Sequence, residues 1–524
     1  MNCQIFRQLF LLLSRFLLFF YCFGRLWCLL DSKNPHKYGL QERKKGCTFA
    51  VEMTNHMNIE QSEVTVIGAG LTGLTTAYWL KRQGVRVCVV ETDSRIGGQI
   101  QTQQYNKYVY ETGPTTGAVS TPEVAELMMD LAETSGGKCQ IETAPDSSKR
   151  RLIWKEDRFR ELPSGLLSAV TTPLFRFSDK LRILGEPWRK RGNDPDESIA
   201  SLAARRLGRS FVDYAVDPFI SGVYAGNPDQ LVVRYALPKL YALERDYGSF
   251  VRGSIAKMKQ PKSDRDRLAT KKVFSSLGGL SNIPEAEADY IGRENIALGA
   301  SQVAVGYIYN NKVWETTFVD ADGNSRTLQS QWVVTTCGAY NLPQLLPFVD
   351  KERMDAISGL VYAPVMEVNV GMPDTFGGDY CAFGGLVPSV ERQQILGILF
   401  PSACFVRRAP EGGALFSFFL GGIKHPEMLD KSDEEIRSIV TACLHKMLKF
   451  PAEAKPDFIH ISRHRRAIPQ YRADSGRRFE AVAAIEKDYP GLVIGGNLRD
   501  GIGMGHRITQ ATPIANHIIN TINN

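Results

Sequence analysis

The sequence carries little excess charge of either sign and no long block of basic residues. Its 524 residues include 63 lysines and arginines and 56 aspartates and glutamates, which leaves a formal net charge of +7. The basic residues are spread along the chain, whereas nucleic-acid-binding arms concentrate them. We therefore predict no nucleic-acid partner and interpret most of the small positive excess as ordinary solvated surface.

Cysteine is also scarce, and it never occurs as a CxxC pair. Ten cysteines in a chain of this length do not form a disulfide framework. Isolated positions such as Cys88, Cys337 and Cys443 are typical of small buried apolar residues in a reducing compartment.

No metal site is predicted. His460 and His464 stand four residues apart, as on one face of a helix. Ile459 and Ile461 alternate with them as in a strand, however, and no third ligand is evident.

A long uninterrupted apolar run is missing too. Residues 9–30 are rich in leucine and phenylalanine, but Ser14, Arg15 and Arg25 interrupt them, so no clean membrane-spanning helix is predicted. Residues 1–59 form an N-terminal extension with three open interpretations: a signal or anchor segment, a transit-like segment, or an upstream start that the mature fold does not use. The third is attractive because Met57 stands just before the first credible strand.

The composition itself is that of a globular protein. Hydrophobic residues make up 43% of the chain, aromatic residues 10% and charged residues 23%. These proportions exclude a wholly disordered or coiled-coil chain, and the length suggests about three domains. No internal repeat is visible.

The folded part opens with the pattern of a nucleotide-binding site. A β-branched run at residues 64–67 leads directly into a GxGxxG turn formed by Gly68, Gly70 and Gly73, and a helical pattern follows. The three glycines would allow a tight turn, the approach of a pyrophosphate to the backbone, and close packing of helix on strand. Glu91 ends the next strand, 91 − 73 = 18 residues beyond the last glycine, and favours an adenosine ribose that carries no phosphate.

A second glycine pair favours FAD over a nicotinamide cofactor. Gly97 and Gly98 follow Arg95, and Thr102 stands shortly after them. This arrangement resembles the ExxxxxGG…T signature of the flavin amine-oxidase superfamily, which a nicotinamide dehydrogenase does not need.

Further segments, in the same order along the chain, are similar to the oxygen-dependent protoporphyrinogen oxidase family, whose members are FAD enzymes of haem biosynthesis. The most distinctive is the SGVYAGNP stretch within residues 218–228. The other similar segments are residues 110–114, 151–154, 162–165, 206–208, 243–249, 274–280, 467–471, 490–497 and 501–505.

The resemblance implies a set of site residues. The residues expected to bind FAD, without a covalent link, are Gly68, Gly70, Gly73, Glu91, Gly97, Gly98, Gly113, Val303, Gly496, Gly501 and Met504. Arg151 stands at the family's propionate-binding position, so it is expected to clamp a substrate carboxylate. Phe383, Leu386 and Leu399 fall where the family lines its cavity, although a role in the core is the simpler interpretation of each. No protein nucleophile or other catalytic side chain is nominated, because the chemistry belongs to the flavin.

The implied activity is oxidation of protoporphyrinogen IX to protoporphyrin IX with molecular oxygen as acceptor and hydrogen peroxide as by-product. Alternatives remain open, among them an amine or a carotenoid as substrate in the same flavin class. Coproporphyrinogen III, with four carboxylates, would demand more cations around the cavity. A flavin-binding scaffold without turnover is the alternative from another class.

The chain departs from the family pattern in three places. Residues 472–476 lack the family's Gly-His, an aromatic residue is replaced within residues 464–466, and His506 and Arg507 stand where small or thiol residues are common. These departures bear on local substrate contacts rather than on flavin binding.

The expected fold is α/β with α+β insertions. A discontinuous Rossmann-like FAD-binding domain is predicted at residues 60–118, 270–340 and 478–524. A helical domain at residues 119–255 is expected to associate with a membrane, and a mixed-sheet substrate domain is expected at residues 341–477. Local patterns predict helices at residues 122–134, 198–208 and 432–448 and strands at residues 365–370 and 415–420.

Aromatic and cationic residues interleave over residues 175–191, as in a helix that lies on a membrane surface. A packed helix with snorkelling cations gives the same pattern. The resemblance favours the membrane and implies a cytoplasmic, peripherally membrane-associated protein, on the inner face of the membrane if bacterial. It also leaves open a homodimer and hand-over of product to the next haem-pathway enzyme.

Overall fold

The computed structural model describes residues 59–163, 168 and 171–524. The N-terminal extension, apart from Ile59, lies outside the described residues. So do Ser164 and Gly165 of the family-like segment at residues 162–165.

Within these described ranges, the strands fall into five sheets. In chain order they are β1 (Ile59–Gln61), β2 (Val64–Ile67), β3 (Val87–Val90), β4 (Thr102–Tyr105), β5 (Tyr108–Glu111), β6 (Gly117–Ala118), β7 (Ile141–Thr143), β8 (Arg151–Lys155), β9 (Arg158–Glu161), β10 (Val273–Ser276), β11 (Ile296–Ala297), β12 (Ser301–Ile308), β13 (Val313–Val319), β14 (Ser325–Ser330), β15 (Trp332–Thr335), β16 (Tyr362–Met372), β17 (Gly384–Leu386), β18 (Gly397–Leu399), β19 (Ala414–Gly421), β20 (Phe458–Pro469) and β21 (Leu492–Ile494).

The longer helices within the described ranges are α1 (Leu71–Arg82), α2 (Pro122–Thr134), α3 (Phe177–Leu184), α4 (Ile199–Leu207), α5 (Pro238–Tyr247), α6 (Phe250–Lys259), α7 (Asn282–Ile291), α8 (Lys351–Ser358), α9 (Asp433–Met447), α10 (Ser475–Asp488) and α11 (Met504–Ile522). Shorter α-helical pieces are Arg209–Phe211, Asp217–Val223, Val233–Ala236, Asp264–Arg267, Leu342–Leu345 and Pro401–Cys404, and Val212–Val216 is a π-helical turn.

A five-stranded parallel sheet forms the core of the part that the sequence predicts to bind FAD, called the cofactor-binding part below, in the order β11-β3-β2-β15-β21. Its strands are short β-branched runs, as is typical of strands covered on both faces. Helices α1, α2, α7 and α11 share one buried apolar cluster on this sheet. The α/β fold predicted from the sequence is confirmed.

Two smaller sheets complete this part of the molecule. One has the order β1-β14-β13-β12 and is antiparallel except for the β1–β14 pair. The other is antiparallel, in the order β6-β10-β7. A hairpin of β4 and β5 runs from the second glycine loop back towards the cavity.

A seven-stranded sheet faces the cofactor-binding part, in the order β20-β16-β19-β18-β17-β8-β9. It is antiparallel except where β17 runs parallel to β8. The β16 strand lies between β19 and β20 and is buried along almost its whole length.

Helices α3 to α6 and the pieces between residues 209 and 236 pack around an apolar cluster of their own. A fully buried arginine, Arg206, binds this layer together. Its guanidinium donates to Glu186 Oε1 at 3.0 Å and to the carboxylate of Glu244. One removed partner would leave a buried charge uncompensated, so we infer that the three residues specify how these helices meet.

The division into three domains stays a prediction, but two stretches of residues 119–255 pair with strands outside that range. The β7 strand pairs with β10, beside the cofactor-binding part. The β8 and β9 strands form one edge of the seven-stranded sheet. The positions of β7, β8 and β9 in these sheets follow from pairing with strands that are distant in the sequence. The residues of the three strands themselves do not specify those partners.

The local predictions are confirmed to within one residue at the helix ends. Helices occur at residues 122–134, 199–207 and 433–447, and each of the two predicted strands lies inside a longer one. His460 and His464 lie on β20, as their alternating neighbours indicated. Over the described ranges, no helix combines the length and the apolar character needed to cross a membrane.

One buried carboxyl links two helices beneath the first glycine loop. Thr75 Oγ1, on α1, donates to Glu287 Oε1, on α7, at 2.6 Å. Glu287 is fully buried, and burial raises its pKa to about 8. The folded state therefore holds a proton that the unfolded state, with a pKa near 4.5, releases at lower pH.

We predict that Glu287→Gln removes a pH-dependent loss of stability. The stabilisation from the bound proton is complete below about pH 4.5 and is lost as the pH rises through about 8. Over this interval, we expect the free energy of unfolding of the wild type to fall by about 1–4 kcal/mol relative to that of E287Q, as measured by urea denaturation. The exposed Glu294→Gln is the control. Parallel pH curves for wild type and E287Q would contradict the prediction.

Candidate active site

One cavity of about 890 Å³ brings the three parts of the molecule together. Its lining includes residues at the carboxyl ends of β2 and β3, residues of the seven-stranded sheet, and residues of the helical layer between 215 and 223. Ligands of open parallel sheets bind at the carboxyl ends of the strands. The cavity is therefore placed where a dinucleotide and a second, larger ligand could meet.

The first glycine loop needs its glycines for two different reasons. A Cβ on Gly73 would lie 1.9 Å from the carbonyl oxygen of Gly68, so only glycine lets α1 start this close to β2. A Cβ on Gly70 would meet no protein atom within 4 Å, yet Gly70 lines the cavity. The space beside Gly70 is thus open for a ligand that approaches the backbone.

Glu91 ends β3 beside this loop and lines the cavity. Its Oε2 accepts a hydrogen bond from the backbone N–H of Ala69 at 2.6 Å, and its Oε1 accepts one from Asp93 N at 2.9 Å. Each carboxylate oxygen can accept more than one hydrogen bond. The side chain is held rigidly and retains acceptor capacity for a pair of ribose hydroxyls.

The second glycine loop packs directly on the first. Gly97 N donates to Ala69 O at 2.8 Å, and a Cβ on Gly98 would lie 3.1 Å from the Cα of Gly70. Arg95 supports the loop from within, because its guanidinium donates to the carbonyl oxygens of Ile96, Gly98 and Ile100. This support role of Arg95 was not predicted from the sequence.

A buried ion pair fixes the segment that follows. Glu111 accepts from Arg408 Nη1 at 3.1 Å, from Leu280 N at 2.9 Å and from Thr102 Oγ1 at 2.6 Å. Both charged side chains are 2% exposed. Gly113, two residues later, lines the cavity, and a Cβ there would lie 2.0 Å from Gln99 O. Arg408 stands outside every predicted site and was missed, because its partner is nearly 300 residues away in the sequence.

The C-terminal helix α11 begins at the cavity with Met504. Its first backbone N–H groups and its dipole place partial positive charge at that end. Gly496 also lines the cavity, with a positive φ of 86°.

Arg507 holds the loop before this helix in place. It donates to the carbonyl oxygens of Arg499 and Gly501 at 2.9 and 2.7 Å and to Gln510 Oε1 at 2.9 Å. Burial lowers the pKa of this guanidinium, and no carboxylate forms an ion pair with it within the described residues. The sequence marked Arg507 only as a departure from the family pattern.

The other end of the cavity is apolar with a cation beside it. Leu386, Leu399 and Phe419 line it from adjacent strands of the seven-stranded sheet. Arg151, the first residue of β8, also lines it, and its guanidinium carbon lies 5.3 Å from the centroid of the Phe383 ring.

Two residues of β20 add polar groups to the lining. Arg466 is exposed, and its guanidinium carbon lies 4.2 Å from the centroid of the Tyr340 ring, which also lines the cavity. His464 Nε2 lies 2.6 Å from the carbonyl oxygen of Thr112, and burial lowers the pKa of this histidine. Because that carbonyl oxygen can only accept, Nε2 carries the proton and donates.

The structure brings most of the predicted site residues together. All four predicted substrate residues line the cavity, as do the predicted cofactor residues Gly68, Gly70, Glu91, Gly97, Gly98, Gly113, Val303, Gly496 and Met504. Gly73 and Gly501 do not. Gly73 supports the turn from below, and Gly501 N donates to the hydroxyl of Tyr471 at 3.1 Å.

Glu367 also lines the cavity, but it was not among the site residues predicted from the sequence. It lies on β16, is 1% exposed and carries a carboxyl group into a largely apolar wall. Its sequence context is a run of hydrophobic residues, so the sequence alone offers an isolated acid without a motif.

The geometry fits FAD. The open side of Gly70, the oriented carboxylate of Glu91, the second glycine loop and the start of α11 all line the same cavity. These groups match, in turn, a pyrophosphate, a ribose diol, a second backbone approach and an electron-rich ring edge.

Comparisons with known proteins agree with this geometry. The sequence pattern of the family described as "Flavin containing amine oxidoreductase" matches residues 71–500. "Protoporphyrinogen oxidase 2, chloroplastic/mitochondrial" of Arabidopsis thaliana is 27% identical over 88% of this chain and 94% of its own length. "Coproporphyrinogen III oxidase" of Bacillus subtilis is 23% identical over 87% of this chain and 97% of its own length.

The fold is shared as well. A solved structure from Exiguobacterium superposes with a TM-score of 0.70, at 20% identity, over 89% of this chain and all of the other. Because the family pattern spans most of the chain, this protein belongs to the family of flavin-containing amine oxidoreductases, and FAD is its cofactor.

Proposed function

We propose that this FAD-dependent oxidoreductase oxidises protoporphyrinogen IX to protoporphyrin IX, with molecular oxygen as acceptor and hydrogen peroxide as by-product. The observation that carries the proposal is the continuity of one cavity. It runs from the glycine loops to an apolar chamber with Arg151 beside it. A flexible, apolar tetrapyrrole with carboxylates on one rim needs such a chamber next to the flavin.

The protein's own residues bind, orient and shield. Bound FAD supplies hydride acceptance, so no protein nucleophile is required. Arg151 would hold a propionate by a charge-assisted contact, while Phe383, Leu386 and Leu399 confine the ring and exclude water. The start of α11 would stabilise negative charge that develops on its ligand.

The cations of the lining favour two carboxylates over four. The arginines among the lining residues are Arg95, Arg151, Arg466 and Arg507. Arg95 and Arg507 donate to the carbonyl oxygens of their own loops. Arg151 and Arg466 lie beside aromatic rings of the lining instead. Two arginines in such positions suit the two propionates of protoporphyrinogen better than the four of coproporphyrinogen III.

We predict that the purified holoprotein forms fluorescent porphyrin from protoporphyrinogen IX faster than from coproporphyrinogen III. The measurement compares initial rates of porphyrin fluorescence at equal substrate concentration, alongside hydrogen peroxide yield. A higher rate with coproporphyrinogen III would reverse the assignment of substrate. A yellow cofactor that stays oxidised under anaerobic substrate would leave only a flavin-binding scaffold.

We predict that Arg151→Gln raises KM for the porphyrinogen by about ten- to a hundredfold, because a charge-assisted contact contributes about 1.5–3 kcal/mol. The exposed Arg158→Gln, on the neighbouring strand β9, is the matched control and should leave KM unchanged. Flavin content is measured in parallel. An unchanged KM in R151Q would remove Arg151 from the substrate site.

We further propose that the helical layer binds a membrane surface from the cytoplasmic side. Phe177 and Leu181, one turn apart on α3, are 69% and 52% exposed, and Trp188 is 77% exposed. Arg176 and Lys190 are exposed beside them. Phe175 belongs instead to the core, where it stacks on Phe211 at 3.9 Å. Apolar side chains flanked by cations are typical of interfacial helices.

We predict that the double variant Leu181→Glu, Trp188→Glu loses most of its co-sedimentation with vesicles that contain anionic phospholipid. Tyr309→Glu, which changes an equally exposed ring on a distant turn, is the control. Flavin content should be unchanged in both. Equal sedimentation of wild type and double variant would exclude this surface as the membrane contact.

A homodimer and hand-over of product to a later enzyme of the pathway remain proposals that the resemblance alone supports.

A further inference from the structure

Glu367 occupies the middle of the wall that faces the proposed substrate. It is paired across the sheet with Phe419 on β19 and with Ser462 on β20. Val365, two residues earlier on the same face of β16, lines the cavity together with Glu367 and Phe419. The carboxyl group therefore lies among the apolar side chains that would contact a tetrapyrrole.

The carboxyl group has polar neighbours but, within the described residues, no counter-ion. Thr115 Oγ1 donates to Glu367 Oε1 at 3.3 Å. Asn369 and Ser417 also lie within hydrogen-bonding reach of the carboxyl group. Both have further partners, since Asn369 Nδ2 donates to Glu111 O at 2.7 Å and Asn369 Oδ1 accepts from Ser417 Oγ at 2.6 Å. In the described parts of the chain, no basic nitrogen lies within ion-pair distance of Glu367.

The titratable groups that lie near Glu367 or line its cavity come from three elements. Glu111 on β5 raises its pKa further, although Arg408 compensates the Glu111 charge. His464 on β20 lines the same cavity and is kept neutral by burial. Arg151 on β8 also lines it. Burial, followed by the charge of Glu111, holds the pKa of Glu367 well above its ordinary value.

A carboxyl group in such a place costs stability unless something compensates. The wall gains nothing in packing from an acid, and the other buried acid of this region, Glu111, has an arginine partner that Glu367 lacks. A titratable group that is desolvated, unpaired and aimed into a cavity is a candidate for proton transfer.

Building on the proposed porphyrinogen oxidation, we propose that the Glu367 carboxylate accepts the pyrrole N–H proton that the substrate loses in each oxidation. At one bridging carbon of the tetrapyrrole, a C–H bond breaks and its electron pair leaves with the hydrogen as hydride, for which FAD is the acceptor. At the adjacent ring, the pyrrole N–H bond breaks, its electron pair stays on the substrate, and a C=N unit forms. The proton binds a Glu367 oxygen, so the substrate loses one hydride and one proton and the carboxylate becomes a carboxylic acid.

The acid must lose this proton before the next oxidation. Arg466 lines the same cavity and is exposed to solvent, so the proposal includes transfer of the proton to water on this side of the cavity. An acceptor with a raised pKa is also a stronger base than an ordinary glutamate, which suits abstraction of a weakly acidic N–H proton.

The test compares E367Q with wild type, with E367D and with E287Q, a buried isosteric change outside the cavity lining. Wild-type kcat should rise with pH through the raised pKa of Glu367, because the carboxylate is the active form. E367Q should lower kcat by about a hundredfold or more and lose this rise, while KM changes less than about threefold. E367D should keep the rise at a reduced kcat, and E287Q should match the wild type.

Binding of protoporphyrin IX, followed by its absorbance shift, and flavin content should be the same in E367Q and wild type. These two readouts separate a proton-transfer role from a structural one. A wild-type pH profile in E367Q, or a rise in KM with kcat unchanged, would overturn the proposal while porphyrinogen oxidation by the wild type still stands. Absence of porphyrinogen oxidation in the wild type would overturn the proposed function and this inference together.

Discussion

The parallel pairing of β2 with β3 and β15 is the constraint on which the rest of the molecule depends. It aligns the carboxyl ends of strands that stand hundreds of residues apart in the chain. Thr336 continues β15 and donates to the carbonyl oxygens of Ile67 and Gly68 at 3.0 and 3.2 Å. The first glycine loop is therefore held from the strand side as well as by the close approach of Gly73. Without this pairing, neither the nucleotide loops nor the cavity that begins at them would exist.

Buried charged side chains have different partners at the two ends of the cavity. At the nucleotide end, charged side chains are fixed by protein partners: Arg95 and Arg507 by loop carbonyls, and Glu111 by Arg408. Such pairing satisfies groups that would otherwise be costly to bury and makes the loops rigid. At the substrate end, Glu367 lacks an ionic partner in the part of the chain that the structure describes. A rigid cofactor end beside a reactive substrate end is what a flavin enzyme that binds a flexible substrate requires.

Much of the fold could be predicted because its signals are local. Short β-branched runs followed by glycines identify strands and turns, and capped apolar periodicity identifies helices such as α9, where Ser432 and Glu435 form a capping box. The expected cofactor residues Gly68, Gly70 and Glu91 could be nominated for the same reason, since they stand at a fixed spacing along a short segment of the chain. The strands β8 and β9 were assigned to the helical segment because nothing in their own residues specifies that they pair with the seven-stranded sheet.

The sequence by itself determined the α/β class, the two glycine loops and the identity of the cofactor, because each depends on a few residues close together in the chain. Tertiary structure alone decided which side chains share the cavity. Arg408 became a partner of Glu111 only through folding, and Glu367 became a lone acid in an apolar wall only because β16 lies between β19 and β20. The physical reason is that burial and ion pairing are properties of the surroundings of a residue. Segments distant in the sequence supply those surroundings.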